Sequence, residues 1–388
     1  MPPLTRTERP STITEAAQLL GDSRGSVVFR GGGTKMGWGG RPPDPALVLE
    51  TGGLTKLLTH NPADMTASAE AGMPLRALQD QLAGAGQWLA LDPPTESAGA
   101  TVGGLLATGD SGPRRLRYGA LRDLVIGVTI VLADGTVARA GGHVIKNVAG
   151  YDLSKLMYGS MGILALVGEV VLRVHPRPEA SATVVVPASV STAAASTLQL
   201  LASPLEPSAV DWVGGRLAVR FEGRKAGVAA QTAAARELLS ESAPAEELDE
   251  SAESALWQEF TAAHGAEHGE SVAFAGTLPS RLTAVAEALA RAADAAGVEA
   301  RLASHTALGQ HTAHFAGPPE GQAQAFDRWR HVVLALGGTV LLRDRPEEVD
   351  KAVDALGPPP SAVGLLRSVK NRLDPDGRIA PGRLGSWI

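Results

Sequence analysis

The stretch FRGGGTKMGWGG, residues 29–40, constrains the fold more than any other part of the chain. Consecutive glycines cost backbone entropy, so they mark places where the main chain must approach another group closely or take a positive φ. The familiar phosphate-binding frames do not fit. A Walker loop needs Gly-x-x-x-x-Gly-Lys-Ser/Thr, and a dinucleotide fingerprint needs Gly-x-Gly-x-x-Gly running into a helix. Counted from Gly31 the sixth position is Met36, and the MGWGGRPPDP that follows is no helix. The apolar runs SVVF (26–29) and ALVLET (46–51) on either side read as strands. The stretch is therefore a strand–loop–strand connection. It is either a nest of backbone amides that holds an anion, with Arg30, Thr34 and Lys35 adding charge and a hydroxyl, or a plain glycine-rich turn.

Two later segments bear on that choice. Residues 92–123 carry Gly99, Gly103, Gly104, Gly109 and Gly112 among Thr95, Thr101 and Thr108, and 92–112 reads as a long ordered loop. Residues 146–172 carry Gly159 and Gly162 ahead of a buried strand at 163–174. Three glycine-rich segments, each beside a strand, suit a long ligand with a pyrophosphate in its middle.

The rest of the first half reads readily. TITE is a capping box, Thr12 with Glu15, opening a helix; MPLRALQDQLAGAG is a helix with Pro74 near its first position. LVIGVTIVLADGTVARA is a hairpin turning at Asp134-Gly135. Near residue 178 the composition shifts toward alanine and glutamate. Two units with the order βαββα follow: strand 182–187, helix 190–202, strands 209–213 and 216–222, helix 226–240; then strand 271–276, helix 280–296, strands 299–304 and 310–315, helix 321–336, closed by strand 338–343. This predicts duplicated ferredoxin-like units forming one antiparallel sheet with helices on one face. ESAPAEELDESAES between them reads as an exposed connector.

Composition excludes several function classes. There is no cysteine, so this chain forms no disulfide and holds no iron–sulfur cluster through thiolates. A net charge of −6 argues against nucleic acid as the main partner. No apolar run reaches spanning length and MPPLTRTERP has no apolar leader core, so the expected location is cytoplasmic, or peripheral to a membrane through partner subunits.

The strings FRGGGTKMGWGG, ATVGGLLATGDSGPRRLRYGALRDLVIGVTIVLADG and KNVAGYDLSKLMYGSMGILALVGEVVLRVHP together resemble the flavoproteins of the vanillyl-alcohol oxidase type, which share an FAD-binding domain. Within that family DPP…ATVGGLLATGDSGPRR and NVAGYDL resemble the FAD-binding subunits of bacterial glycolate oxidases. The likeness covers residues 10–178 and, more weakly, 365–385. It implies an α+β fold: a two-part FAD-binding domain over 1–178, a cap domain over 179–345, and a closing segment over 346–388 that returns to the first part. It also implies site roles. Arg30, Gly31, Gly32, Gly33, Thr34 and Lys35 would wrap the FAD pyrophosphate. Gly99, Ala100, Thr101, Gly103, Gly104, Ala107 and Gly109 would line the ribityl chain and flavin ring. Gly162, Ile163 and Val167 would lie near the adenine. Covalent relatives place a histidine where this chain has Thr34, which implies non-covalent FAD. Gly150, Tyr151 and Asp152 are expected to be structural. The family's closing Asn-Pro-Gly is Ala380-Pro381-Gly382 here, which removes a side-chain amide from that segment.

A flavin enzyme acting on a 2-hydroxy acid needs a base for the hydroxyl proton and a cation for the carboxylate. The sequence names neither firmly. Its catalytic candidates are His143, Arg114 and Arg117, with Arg115 in the same cluster. HGAEH, with His264 and His268, and HTAHF, with His311 and His314, read as solvated or isolated histidines, and no metal site is expected. RDRPEE (343–348) reads as a charged turn. The expected function is that of an FAD-binding subunit in a glycolate-oxidase-like complex, with a second flavoprotein subunit and an iron–sulfur subunit as partners. The alternatives are a self-sufficient FAD-dependent 2-hydroxy-acid or alcohol oxidoreductase, and a non-catalytic scaffold that keeps the fold.

Overall fold

The structure is a computed structural model that describes residues 5–144, 152–241 and 243–388. The motif residues Gly150 and Tyr151 lie outside them.

The chain opens as the capping residues dictate. Thr12 Oγ1 accepts from the Glu15 N–H at 3.1 Å to start helix Ile13–Asp22, and the Glu15 carboxylate reaches back to the Ser11 N–H at 2.7 Å rather than to Thr12. Strands Arg6–Glu8, Leu47–Glu50 and Val27–Arg30 form a parallel sheet in that order. A five-stranded antiparallel sheet lies beside it, ordered Leu57–Asn61, Thr66–Glu70, Leu166–Arg173, Val125–Val131, Val137–Gly141. Its core takes Leu75, Leu78 and Leu82 from helix Leu75–Ala83 and Leu105 and Leu106 from helix Val102–Thr108, all fully buried. Each such leucine contributes about 2 kcal/mol.

That second helix corrects the expectation of a loop over 92–112. Two glycines cost a helix about 2 kcal/mol together, which is why the sequence reads as a loop. Burial of Val102, Leu105 and Leu106 offsets the cost, and Thr101 caps the helix by accepting from the Gly104 N–H at 3.3 Å.

Among the described residues the second half of the chain forms an eight-stranded antiparallel sheet. The short edge strand Glu246–Glu247 comes first, the first unit then contributes Ala180–Pro187, Arg216–Gly223 and Ala209–Val213 in spatial order, and the second continues with Glu299–His305, Gln310–Ala316, Ser271–Gly276 and Thr339–Asp344. The two units thus meet through their second strands, where Asp211 lies opposite His305, and the order of one mirrors the order of the other. Helices Val190–Ala202, Lys225–Ser240, Leu282–Ala296 and Pro319–Ala335 bury their apolar sides on one face. The expected connector is different. Asp249 caps helix Glu250–Ala262 by accepting from the Ala252 N–H at 2.9 Å. Leu256, Trp257 and Phe260 of that helix pack on Ala209 and Ala218, the opposite face of the sheet. Its alanine-and-glutamate composition hides an apolar face of three residues.

The chain then returns. After helix Val363–Leu373, Ile379 forms a parallel bridge with Val27, so residues 378–380 extend the N-terminal sheet. The Lys370 ammonium, 5% exposed, holds this return in place by donating to the carbonyls of Ile163 at 2.7 Å and Ile379 at 2.8 Å and to Asp374. No helix among the described residues is long and apolar enough to cross a membrane.

Candidate functional site

The glycine segments that lie far apart in sequence line one cleft. It is walled by Gly31, Gly32, Gly33, Thr34 and Lys35, by Thr101, Gly103, Gly104 and Ala107, and by Met161, Gly162 and Val167. The backbone explains why these segments are so rich in glycine, and it gives two answers. A Cβ on Gly32 would stand 2.9 Å from the Gly99 carbonyl carbon, with the oxygen closer still, so Gly32 is small because the two glycine loops press together. Gly33, by contrast, has φ +74° and open space around its missing side chain. Gly33→Ala is therefore expected to cost about 1 kcal/mol of left-handed strain with no steric clash, measured as a small loss in chemical denaturation with the cleft intact.

The amides of this loop matter more than its side chains. Among the described residues, no backbone N–H from Gly31 to Lys35 donates to a protein acceptor, although Gly31, Gly32 and Gly33 are exposed on the cleft. Successive free N–H groups on a curved backbone form an anion-binding nest. The second half of the loop serves another purpose. The buried Arg345 donates to the carbonyls of Gly37 and Gly39 at 2.7 Å each, and Gly40 N–H donates to the Arg383 carbonyl at 2.8 Å. GGGT faces the cleft, while GWGG binds Arg345 and the returning tail.

Several expected site residues are elsewhere. Arg30 pairs with Glu50 on the neighbouring strand. Ala100 is buried and its carbonyl accepts from Leu75 N–H at 2.9 Å. Gly109 closes helix Val102–Thr108 in the left-handed conformation, φ +69°. Ile163 is buried and holds Lys370. His143 bonds Thr66 at 3.2 Å on the five-stranded sheet, and Arg117 donates to the Glu206 carbonyl at 3.2 Å. None of these lines the cleft. Arg114 sits 2.8 Å from Glu222 and 3.6 Å from Asp92, with its guanidinium 4.7 Å from the Trp88 ring. Burial opposes its charge, but Asp92 and Glu222 outweigh that and raise its pKa. It is a strut between the two halves of the chain. Arg114→Met is expected to lose about 2 kcal/mol, the scale of a charged hydrogen bond, while the purified chain keeps its cofactor content. Loss of cofactor at unchanged stability would contradict this.

Other cleft residues gave little or no signal in the sequence. Met161 takes φ +55°, a left-handed conformation costly for a side-chain-bearing residue, on the cleft wall. Arg383 brings the tail into the cleft and donates to the carbonyls of Met36 at 2.6 Å and Trp38 at 2.9 Å; burial, with Arg345 nearby, lowers its pKa to about 10. RDRPEE is no turn at its start. Arg343 lies between the rings of Trp38 and Phe274, 3.9 and 4.0 Å from their centroids. Beside it Lys35 pairs with the buried Asp110 at 3.4 Å, and Thr95 donates to the same carboxylate at 2.7 Å. Burial lowers the Lys35 pKa, against the opposite pull of Asp110. Strand Thr339–Asp344 is thereby fixed beside the cleft by Arg343, Lys35 and Asp110, charges from both halves of the chain.

HGAEH and HTAHF also depart from expectation. His264, His311 and His314 are buried, and only His268 of the four is exposed. His314 Nδ1 lies 3.2 Å from Glu270 Oε2, a carboxylate too distant in sequence to be foreseen.

A strand–loop–strand nest facing a cleft under an antiparallel-sheet cap defines a class of flavin-binding folds, and comparison with known proteins agrees. Residues 5–141 match the family described as FAD binding domain. Its curated relatives include glycolate oxidase subunit GlcE of Escherichia coli (strain K12), 39% identical over 183 residues, 47% of this chain and 51% of that one. Glycolate oxidase subunit GlcD of Bacillus subtilis (strain 168) is 31% identical over 52% of this chain and 43% of its own. D-lactate dehydrogenase of Archaeoglobus fulgidus is 32% identical over 54% and 47%. The chain spans about half the length of the curated relatives it matches. In three dimensions it superposes on alkyldihydroxyacetonephosphate synthase with a TM-score of 0.71 at 18% identity, over 97% of this chain and 76% of that one, a likeness of fold.

Proposed function

We propose that this chain binds FAD non-covalently in the glycine-lined cleft and takes part, as a subunit of a glycolate-oxidase-like complex, in oxidising glycolate or a related small 2-hydroxy acid. The observation that carries the reading is the nest of unpaired amides from Gly31 to Lys35. It offers an anionic pyrophosphate several donors at once. Thr101, Gly103, Gly104 and Ala107 would lie along the ribityl chain and ring, and Gly162 and Val167 toward the adenine. Thr34 has no nucleophilic nitrogen for a histidyl–flavin bond; its hydroxyl accepts from Lys35 Nζ at 3.1 Å. FAD supplies two-electron oxidation and reduction when bound. The protein's part is to hold it, to exclude water beneath the cap, and to hold Lys35 and Arg343 against Asp110 beside the cleft. In this reading residues 1–178 and 346–388 form the FAD-binding domain and 179–345 the cap.

The partners proposed are a second flavoprotein subunit and an iron–sulfur subunit, in the cytoplasm or at a membrane surface through those subunits. The cysteine-free sequence fits electrons passing to a separate carrier, and the names of the glycolate oxidase relatives point the same way. The test is to purify the chain alone, add glycolate or D-lactate without oxygen, and follow flavin absorbance at about 450 nm. The expected result is a yellow protein whose flavin is released by acid and is not bleached until the partner flavoprotein is added. Bleaching of the chain alone would make it self-sufficient. A colourless protein that cannot be reconstituted would leave only a scaffold.

A further inference from the structure

The surface beside the cleft carries a strip of cations that the flavin reading does not use. Lys155, on helix Leu153–Met157, donates to the carbonyl of Arg122, on helix Leu121–Leu124. Arg115 and Arg117 follow on helix Arg115–Tyr118. Burial raises the Tyr158 pKa, and Arg115 and Arg122 oppose it from close by. The Arg117 guanidinium donates to the Glu206 carbonyl at 3.2 Å and lies 4.0 Å from where a Cβ on Gly223 would stand. Arg224 and Lys225 come next, at the start of helix Lys225–Ser240. The strip thus crosses from the N-terminal half of the chain onto the cap. Arg117, Arg122, Arg224 and Lys225 are exposed, and Arg115 and Lys155 are half-buried.

These charges are not neutralised within the chain. Among the described residues none of them makes a salt bridge, whereas their neighbour Arg114 pairs with both Asp92 and Glu222. Residues 1–4, 145–151 and 242 contain no Asp or Glu. Of the carboxylates next to the strip in sequence, Glu222 is buried on Arg114. Asp123 and Asp152 accept from the backbone N–H groups of Ala120 at 2.9 Å and Lys155 at 3.2 Å. The chain as a whole carries a net charge of −6, so the strip reverses the sign of the average surface. It also adjoins the cleft. The N–H groups of Gly159 and Met161 donate to the carbonyls of Leu106 at 3.0 Å and Ala107 at 2.6 Å, and Tyr158 Oη donates to the Gly109 carbonyl at 3.3 Å. Ala107, Thr108 and Met161 wall the cleft.

We infer that Arg115, Arg117, Arg122, Lys155, Arg224 and Lys225 form the docking surface for an acidic face of the protein that takes electrons from this chain. Electron-transfer encounters bury little area and are weak, so charge sets their orientation and rate. Arginine predominates in the strip, and its planar fork pairs a carboxylate through two bonds at once. A lipid surface fits less well. Binding in the headgroup region needs apolar side chains to insert, and no large apolar side chain in 115–124, 153–158 or 222–228 is exposed. A partner docked here touches both halves of the chain at the side of the cleft. The electron step rests on the flavin reading; the surface itself does not.

The test uses the whole chain. Poly-L-glutamate is the acidic-peptide probe, titrated calorimetrically at low salt. The wild type is expected to bind it, and the double variant Arg122→Glu, Lys225→Glu to bind at least about tenfold more weakly. Arg328→Glu with Arg372→Glu makes the same change of net charge at exposed positions on helices Pro319–Ala335 and Val363–Leu373. That pair is expected to change binding by less than about twofold. Equal binding by the wild type and the first double variant overturns the surface. Tighter binding to vesicles of one part phosphatidylserine to three of phosphatidylcholine than to poly-L-glutamate also overturns it, in favour of a lipid contact. For the electron step the flavin is reduced with light without oxygen and reoxidised with ferricyanide. Each reduced flavin passes two electrons to two ferricyanide ions and its protons to water. Salt is expected to slow this reaction in the wild type, against the sign of the net charge, and not to slow it in Arg122→Glu, Lys225→Glu. Acceleration by salt in the wild type overturns the electron step. A chain that binds no flavin defeats the flavin reading and the electron step together, while the poly-L-glutamate titration still decides the surface.

Discussion

Gly32→Ala yields a protein that has lost its flavin and about 3 kcal/mol or more of stability, the cost of forcing a methyl group into a closed contact. The new Cβ would meet the Gly99 carbonyl group, which is backbone and cannot rotate away. Relief comes only by separating the loop after Val27–Arg30 from the loop before helix Val102–Thr108, and both wall the cleft. Flavin content per chain after gel filtration and Tm are the two measurements. Gly33→Ala, one residue on, is the control, because it meets open space. Equal behaviour of the two variants would mean that the loops are not in contact.

Lys370→Met loses about 3–5 kcal/mol, the range for removing one partner of a buried ion pair. Methionine fills the volume but leaves the Asp374 carboxylate, 1% exposed, without its cation, and the carbonyls of Ile163 and Ile379 without a donor. Burial lowers the Lys370 pKa and Asp374 pulls it back up. Chemical denaturation measures the loss. Because Ile163 lies next to Gly162 on the cleft wall, flavin content falls as well. A loss under 1 kcal/mol would mean the returning segment is held by other contacts.

The two βαββα units were legible because each apolar run kept one period from end to end, and helix 190–202 and strands 209–213 and 271–276 fall where that period puts them. Helix Val102–Thr108 was hidden because glycine at two of its seven positions signals a loop, and only Ala71 and the surrounding leucines show that small residues were needed there. Helix Glu250–Ala262 was hidden because three glutamates and a run of small and polar residues surround Leu256, Trp257 and Phe260. The cleft itself was half legible. GGGT, Thr101, Gly103, Gly104 and Gly162 advertise a backbone approached closely by something else. Met161, Arg343 and Arg383 do not, because their roles depend on which distant segment each one meets.

The returning segment also sets an order of events during synthesis. Lys370 meets Ile163 across 207 positions, and Arg383 meets Met36 across 347. The ribosome therefore releases the glycine loops, then the entire cap, before the residues that close the cleft emerge. The second half of the glycine loop, Met36 to Gly40, gains its contacts with Arg383 only from the last stretch of chain. Cofactor loading is consequently a late step, and a nascent chain stalled after the cap would present a folded sheet above a half-built cradle.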